Sequence, residues 1–580
     1  MGNLFPSASP PMAIVSSILF FSAYLFYRWL LPKPIKGIPY NEHATKSIFG
    51  DIPDMLQHVK HHKTITDWME GQNLRHNSPI AQAFSNLFQK PVVIVNDFKE
   101  AQDILVRRGK EFDKPDMISD VLYGLAHEHH TLLKSSDDRF KLQRKWLQDI
   151  MSPSFLHGVA GPHLHKTFME LIDLWLEKMR LSGPEQHPFS VKTDITHSAL
   201  EAIWAATFGT GAATITKRQY DLLSSLRPES IKILEDGALD IPGAERTLTF
   251  DAIIKLTGLL EGSLKSPFPR IHGTYLTYRY QGLIKVKDDL ILDEINKAIA
   301  RVCNDNGEQS KIVNAVDHMV QRETQQAAKD HRAPQYRSKA MIAEIFGLLL
   351  AGHDTTSTTF MWSLKWLAGH PTVQTKLRNE LRSAYAAAST DGRAPTAHEI
   401  ATTSIQYLDA CIEEFVRYSQ TAPFTSRTTT TDAVVLGHVI PKGTLVVMLG
   451  GSGGVLKPSH KIPDALRSPA YRNARGGKVG EWEESSPEKM AAFNPERWLR
   501  TDTDGNVVFD STLGPHLGFG GGPRACFGRK LAYLELRLAI VLVLWHFELQ
   551  KVPDHLDSPE PMEQLTHLPV QCYLKLAPAP

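Results

Sequence analysis

The alternation of apolar and polar positions divides the chain unevenly. Residues 12 to 27 carry no charged side chain, and the apolar run in "PPMAIVSSILFFSAYLFYRWLLPKP" extends to Leu31. About 20 residues at ~1.5 Å per residue span a hydrocarbon core, so residues 1–31 are expected to form a membrane anchor. The first 11 residues have no side-chain charge, whereas the run ends in Arg28, Lys33 and Lys36. That asymmetry fits a retained single-pass helix with its C-terminal side in the cytosol better than a cleaved signal. Pro32, Pro34 and Pro39 then stiffen a short hinge, residues 32–44, ahead of one globular unit over residues 45–580.

Between residues 55 and 420 apolar positions recur at spacings of three and four with proline punctuation, which predicts helices. A helical run is expected from about Ser338 to Gly369. Its predominantly apolar part, Met341 to Ala351, is too short to cross a membrane and reads as a buried core helix. In "SIQYLDACIEEFVRYS" the residues Ile405, Leu408, Ile412 and Phe415 share one helix face, while Glu414 and Arg417, three apart, share another. Strands are a minority. "AVVLGHVIPKGTLVVML" predicts two β-rich runs joined by a turn, with Pro441 setting the backbone angle and Gly443 closing it. The Gly, Ser and Pro-rich stretch 450–490 is long for a structureless loop and reads as an insertion. The fold class expected is mainly α with a minor β part (α+β).

Composition narrows the chemistry. A net charge of +1 gives no reason to expect nucleic acid as a partner. Cys303, Cys411, Cys526 and Cys572 are far apart, with no CxxC pair, so neither a disulfide scaffold nor a structural zinc site is expected. The histidine clusters "HVKHH" (His58, His61, His62) and "HEHH" (His127, His129, His130) have no carboxylate or cysteine at ligand spacing and read as solvated surface. "GSGG" at 451–454 and the glycines at 520–522 lack the endings of nucleotide loops and read as turns and close packing.

The chemistry concentrates in "FGGGPRACFG", residues 519–528, followed by the apolar helix "RKLAYLELRLAIVLVLWHF". Phe519, Gly522, Arg524, Cys526 and Gly528 make a pattern that resembles the haem-thiolate loop of the cytochrome P450 family. The other motifs of that family follow in suitable order along nearly the whole chain. The resemblance implies the cytochrome P450 fold and non-covalent haem b, with Cys526 as the axial ligand of the iron. A thiolate favours O–O cleavage on haem, and it must be kept unprotonated, which backbone amides and a helix N-terminus can do. Gly520 to Gly522 permit a tight loop whose amides turn toward sulfur, and by the same resemblance Phe519 shields the sulfur, Arg524 meets a haem propionate and Gly528 lets the helix approach the cofactor.

"AGHDTTS" contains the family's acid and alcohol, Asp354 and Thr355, expected to relay protons for oxygen activation. Gly352 is expected to loosen the helix, with Thr355 or Thr356 bonding back to a carbonyl. His353 reads as packing. Glu414 and Arg417 look like the family's ExxR element, joined by Arg497 of "FNPERW" in a buried network that supports the haem loop. Propionate contacts are also expected from Arg144 and Arg427. In "DDRFKLQRKW" Phe140 stands where the family usually has tryptophan, which removes the indole donor.

These features imply a monooxygenase that inserts one oxygen atom from O₂ into an apolar organic substrate. NADPH and flavins would act only through a separate NADPH-cytochrome P450 reductase, with cytochrome b5 as a second donor. The expected location is the endoplasmic reticulum membrane. "GHDTTSTT", the insertion after Gly450 and "GPHLGFGGGPRACFGRKLAYLELR" look like fungal secondary-metabolism enzymes. A haem-thiolate isomerase or dehydratase, working without O₂ or reductase, is the rival reading; such enzymes commonly lack the acid-alcohol pair.

Overall fold

The computed structural model describes residues 10–580 apart from 63, 210–214, 267, 304–311, 452 and 475–485. Part of the expected insertion therefore lies outside the described residues, as do residues 1–9 of the expected anchor. The helices that matter for function are α1 (Pro10–Leu30), α2 (Asp116–Ala126), α3 (Asp138–Leu147), α4 (Lys192–Phe208), α5 (Lys339–Gly369), α6 (Gln406–Ser419) and α7 (Arg529–His546). The expectation of a mainly helical chain with a small β part is met.

α5 is the central beam. Ser338 caps its start by accepting from the Met341 amide, and the helix runs unbroken for 31 residues. It packs along α4, and with α6 and α7 it forms the main apolar core, in which Phe346, Leu349, Phe360, Leu364, Phe415 and Leu538 are buried. Burial of this kind contributes ~25 cal/mol per Å² of apolar surface and dominates the stability of such a lobe. The helix expected at Ser338 to Gly369 is thus found almost residue for residue. The loosening expected at Gly352 is not: the helix stays regular there. An added Cβ at Gly352 would lie 2.6 Å from Ile203 of α4, so the glycine serves close helix packing.

The smaller lobe is built on a five-stranded sheet in the order β1 (Ile80–Ala83), β2 (Val92–Val95), β5 (Leu445–Leu449), β4 (Phe424–Thr429), β3 (Phe112–Asp113). β2 and β5 run parallel, with Val446 opposite Val93, and the other neighbours are antiparallel. All four residues of β2 are buried, as expected of a central strand. Residues 433–449 carry three strands rather than two. Ala433–Val435 and His438–Ile440 close a hairpin on Leu436 and Gly437, both at positive φ. The Pro441 turn then leads into β5, with Gly443 at φ 77 and the Thr444 amide donating to the Pro441 carbonyl.

Three segments bear on the expected anchor, hinge and insertion. Along α1 the apolar side chains Ile14, Leu19, Phe20, Phe21, Phe26 and Trp29 are exposed. Among the described residues no helix is long and apolar enough to cross a membrane. The segment read as a hinge is clamped to the sheet lobe: Gln82 accepts from the Ile35 amide and donates to the carbonyls of Ile35 and Ile38. The described parts of 450–490 are also tied down, with Arg467 paired to Asp97 and Ser468 donating to Asp103.

Candidate active site

The loop before α7 takes its shape from glycine. Gly520 and Gly522 have φ of 63° and 65°, and an added Cβ at Gly522 would lie 2.2 Å from the Leu105 carbonyl oxygen. Side chains are strained in that region and would also collide, so only glycine lets the loop lie against the helix Phe98–Val106. The Cys526 amide closes the loop on the Phe519 carbonyl at 2.8 Å. Phe519 packs its ring 5.2 Å from that of Tyr533 on α7. Cys526 is exposed, with protein packed around part of its side chain. Burial pushes the thiol up, opposed by the Gly528 N–H donated to sulfur and by Arg529 and Arg144. Cys411 and Cys572 are buried with their thiols pushed up, Cys572 to about 12, and Cys303 lies exposed beside Tyr336.

Three guanidiniums converge beside this loop. Arg144 on α3 donates to the Pro523 carbonyl at 2.6 Å. Arg524 donates to Ser135 Oγ at 2.7 Å and to the Leu133 carbonyl, and lies 3.5 Å from Asp113. Arg427 on β4 is buried and donates to the Ser426 carbonyl at 2.8 Å. Burial and then the like charge of Arg524 push Arg427 down to about 10. Asp113 is the carboxylate paired with Arg524; burial alone would raise it, but hydrogen bonds from Ser135 and Lys114 hold it below its ordinary value. Three cations against one carboxylate, beside the Cys526 loop, leave room for two more carboxylates, as haem b would supply. The residues present fit that cofactor.

Phe140 keeps a role without an indole. Its buried ring carries the Arg524 guanidinium 4.1 Å above its centroid, with Arg144 at 5.5 Å, so it supports the cations by their charge rather than by a hydrogen bond.

On α5 the side chains of Ala351 and Thr355 are exposed although the turns around them are buried, so this stripe borders open space within the fold. Thr355 donates back to the Ala351 carbonyl at 2.8 Å, as expected. Asp354 accepts from Thr566 Oγ at 3.1 Å, and burial raises its carboxyl above the ordinary range. His353 is buried and bonds the Leu349 carbonyl, which agrees with packing. Thr566 and the buried Glu535 of α7, raised to about 8 by desolvation and bonded to Thr356, escaped sequence reasoning; they lie far along the chain and carry no spacing signal.

Glu414, Arg417 and Arg497 meet as expected. Arg417 donates twice to Glu414, at 2.9 and 2.7 Å, and to the carbonyls of Val455, Met490 and Ala492. Glu414 also accepts from Arg497 Nε at 3.1 Å, from the Asn494 amide and from Trp498 Nε1. Trp498 is a further member, and its place next to Arg497 in "FNPERW" was the available clue.

The second histidine cluster corrects the sequence reading. His130 is buried rather than solvated: its amide and its Nδ1 meet Glu344 of α5 at 2.6 and 2.7 Å, and His129 Nε2 lies 3.4 Å from the same carboxylate. Desolvation drives the two rings down to about 4 (His129) and 3 (His130). The partner was invisible because it lies 214 residues away. Atoms sharing a tetrahedral zinc ion at ~2.0 Å sit ~3.3 Å apart, so 2.7 Å is a hydrogen bond and not a ligand pair.

A sequence model described as "Cytochrome P450" matches residues 83–454 and 485–576. The chain is 36% identical over 588 residues to cytochrome P450 monooxygenase TRI13 of Fusarium sporotrichioides, covering 97% of this chain and 98% of that one. It is 32% identical to cytochrome P450 monooxygenase GME11363 of Pestalotiopsis microspora, with 99% of each chain covered, and 33% identical to cytochrome P450 monooxygenase xilC of Penicillium crustosum, with 97% and 95% covered. A crystal structure of the cytochrome P450DA heme domain superposes with a TM-score of 0.64 at 17% identity, over 95% of this chain and 99% of that one, a likeness of fold. A glycine-shaped loop that presents one cysteine, on a chain matched this completely, belongs to a member of the cytochrome P450 family, a monooxygenase with non-covalent haem b and a cysteine thiolate ligand.

Proposed function

We propose that Cys526 is the thiolate ligand and that Arg144, Arg427 and Arg524 hold the two haem carboxylates. The observation that carries this reading is the surplus of cations beside the loop that carries the exposed Cys526, with Asp113 as their one paired carboxylate. Haem supplies O₂ binding, O–O cleavage and transfer of one oxygen atom to an apolar organic substrate; thiolate ligation favours the cleavage. The chain's own residues do the rest. The Gly528 amide and the N-terminus of α7 stabilise negative sulfur. Asp354 holds a proton more readily than an ordinary carboxyl, and Thr566 fixes its Oδ2. Thr355 presents its hydroxyl to open space, positioned by the Ala351 carbonyl. Lys145 on α3 and Lys530 on α7 are exposed and serve as docking cations for an acidic, NADPH-fed flavoprotein reductase.

The reading is tested by reconstituting the detergent-purified enzyme with a fungal NADPH-cytochrome P450 reductase under ¹⁸O₂ and a panel of apolar secondary metabolites. One ¹⁸O atom per product, dependent on NADPH, is expected; the likeness to fungal monooxygenases supports that choice of panel. Product formed without NADPH and without ¹⁸O would establish the isomerase or dehydratase reading instead.

We also propose that α1 seats the enzyme on the endoplasmic reticulum membrane with the globular part cytosolic. The support is its bare apolar surface, with Phe20 79% and Trp29 66% exposed. Deleting residues 1–31 is expected to move the protein from the membrane fraction toward the soluble one while it keeps its haem. Loss of haem on deletion would make α1 part of the folded core and end the anchor reading.

A further inference from the structure

The connection between α2 and α3 forms a strap joined to both sides of the site. At one end Glu344 of α5 accepts from the His130 amide at 2.6 Å and meets His130 Nδ1 at 2.7 Å, and the His129 ring rests on Gly347, where an added Cβ would lie 2.2 Å from its Nε2. At the other end the Leu133 carbonyl and Ser135 Oγ receive Arg524, and Ser135 also donates to Asp113. The two ends are separated by one tight turn, His130–Leu132, closed by the Leu132 and Leu133 amides on the carbonyls of His129 and His130. The Phe140 ring lies against both, with the His130 ring, tilted, 6.0 Å and the Arg524 guanidinium 4.1 Å from its centroid.

We infer that Glu344 is a positioning residue for Arg524, acting through this strap to hold the guanidinium where a haem carboxylate is received. Three features carry the argument. Glu344 is fully buried, so its carboxylate has no water to fall back on and its hydrogen bonds fix the loop strongly. The turn between the ends has too few residues to absorb a shift, so displacement of His130 moves the Leu133 carbonyl that Arg524 uses. Gly347 admits the His129 imidazole against the helix, where any side chain would collide with it. The inference rests on the reading of Arg524 as a carboxylate ligand given above.

The test is haem release from purified holoenzyme into excess apomyoglobin, followed by absorbance. Glu344→Gln keeps the side-chain volume but replaces an acceptor oxygen with a donor, and is expected to release haem about tenfold faster than wild type. Arg524→Ala is expected to release at least as fast, and the double variant no faster than Arg524→Ala alone, because both changes remove one device. Arg393→Ala, which breaks an exposed pair with Glu399 elsewhere, should release at the wild-type rate. Unchanged release from Glu344→Gln overturns the inference, and so does a double variant whose effects add. Should Glu344→Gln not load with haem, His130→Ala, which leaves the backbone bond to Glu344, takes its place in the same cycle with Arg524→Lys. Failure of the haem-thiolate reading itself would show in the wild-type carbonyl spectrum, before any variant is made.

Discussion

Replacement of Arg417 by leucine is expected to yield protein that carries little or no haem. The Arg417 and Glu414 side chains are 0% exposed, and the guanidinium fills its bonding capacity with Glu414 and three main-chain carbonyls. Removing it strands a buried carboxylate with the Asn494, Arg497 and Trp498 donors only, and leaves the carbonyls of Val455, Met490 and Ala492 without it. Breaking a buried pair from one side costs about 3–5 kcal/mol. That is a large part of the ~5–15 kcal/mol by which domains are stable. Arg497→Leu should cost less, since Arg497 is partly exposed and supplies one bond to Glu414. Haem per protein and the urea midpoint measure both effects. An Arg417→Leu enzyme that holds haem and unfolds like wild type would mean the network does not support the site.

The second large effect is expected at Asp354 and Thr355. Thr355→Ala should bind haem and substrate normally, consume NADPH, and divert electrons into hydrogen peroxide. Product per NADPH should fall on the order of 10²-fold, the low end of what a positioned proton donor contributes. Asp354→Asn should show the same fall through loss of the acid. Burial raises the Asp354 carboxyl, so its proton is retained to higher pH than in an ordinary aspartate and is lost as pH rises through that value. The wild-type coupling profile should therefore decline on the alkaline side, and the Asn variant should lack that limb. Tight coupling in Thr355→Ala would remove the hydroxyl from the relay.

What was legible in the sequence was local. Apolar spacing of three and four located α5, and spacing put Glu414 beside Arg417 on α6. The glycines at 520 and 522 announced a turn whose reason, contact with Leu105, only the fold supplies. Pairings across long stretches were not legible. Asp113 with Arg524, Thr566 with Asp354 and Glu344 with His130 each join residues from different elements, and no periodicity relates them. The histidines were misjudged for that reason: their carboxylate comes from another helix. Phe140 was read as a lost donor because spacing cannot show that an aromatic face carries two arginines.

The central claim is that Cys526 binds haem iron as a thiolate, and the ferrous carbonyl spectrum tests it most directly. Wild-type enzyme should give the red-shifted Soret band of thiolate ligation, while Cys526→Ala should give none. Cys303→Ala and Cys411→Ala should keep it. A Cys526→Ala protein that retains the red-shifted band would contradict the account.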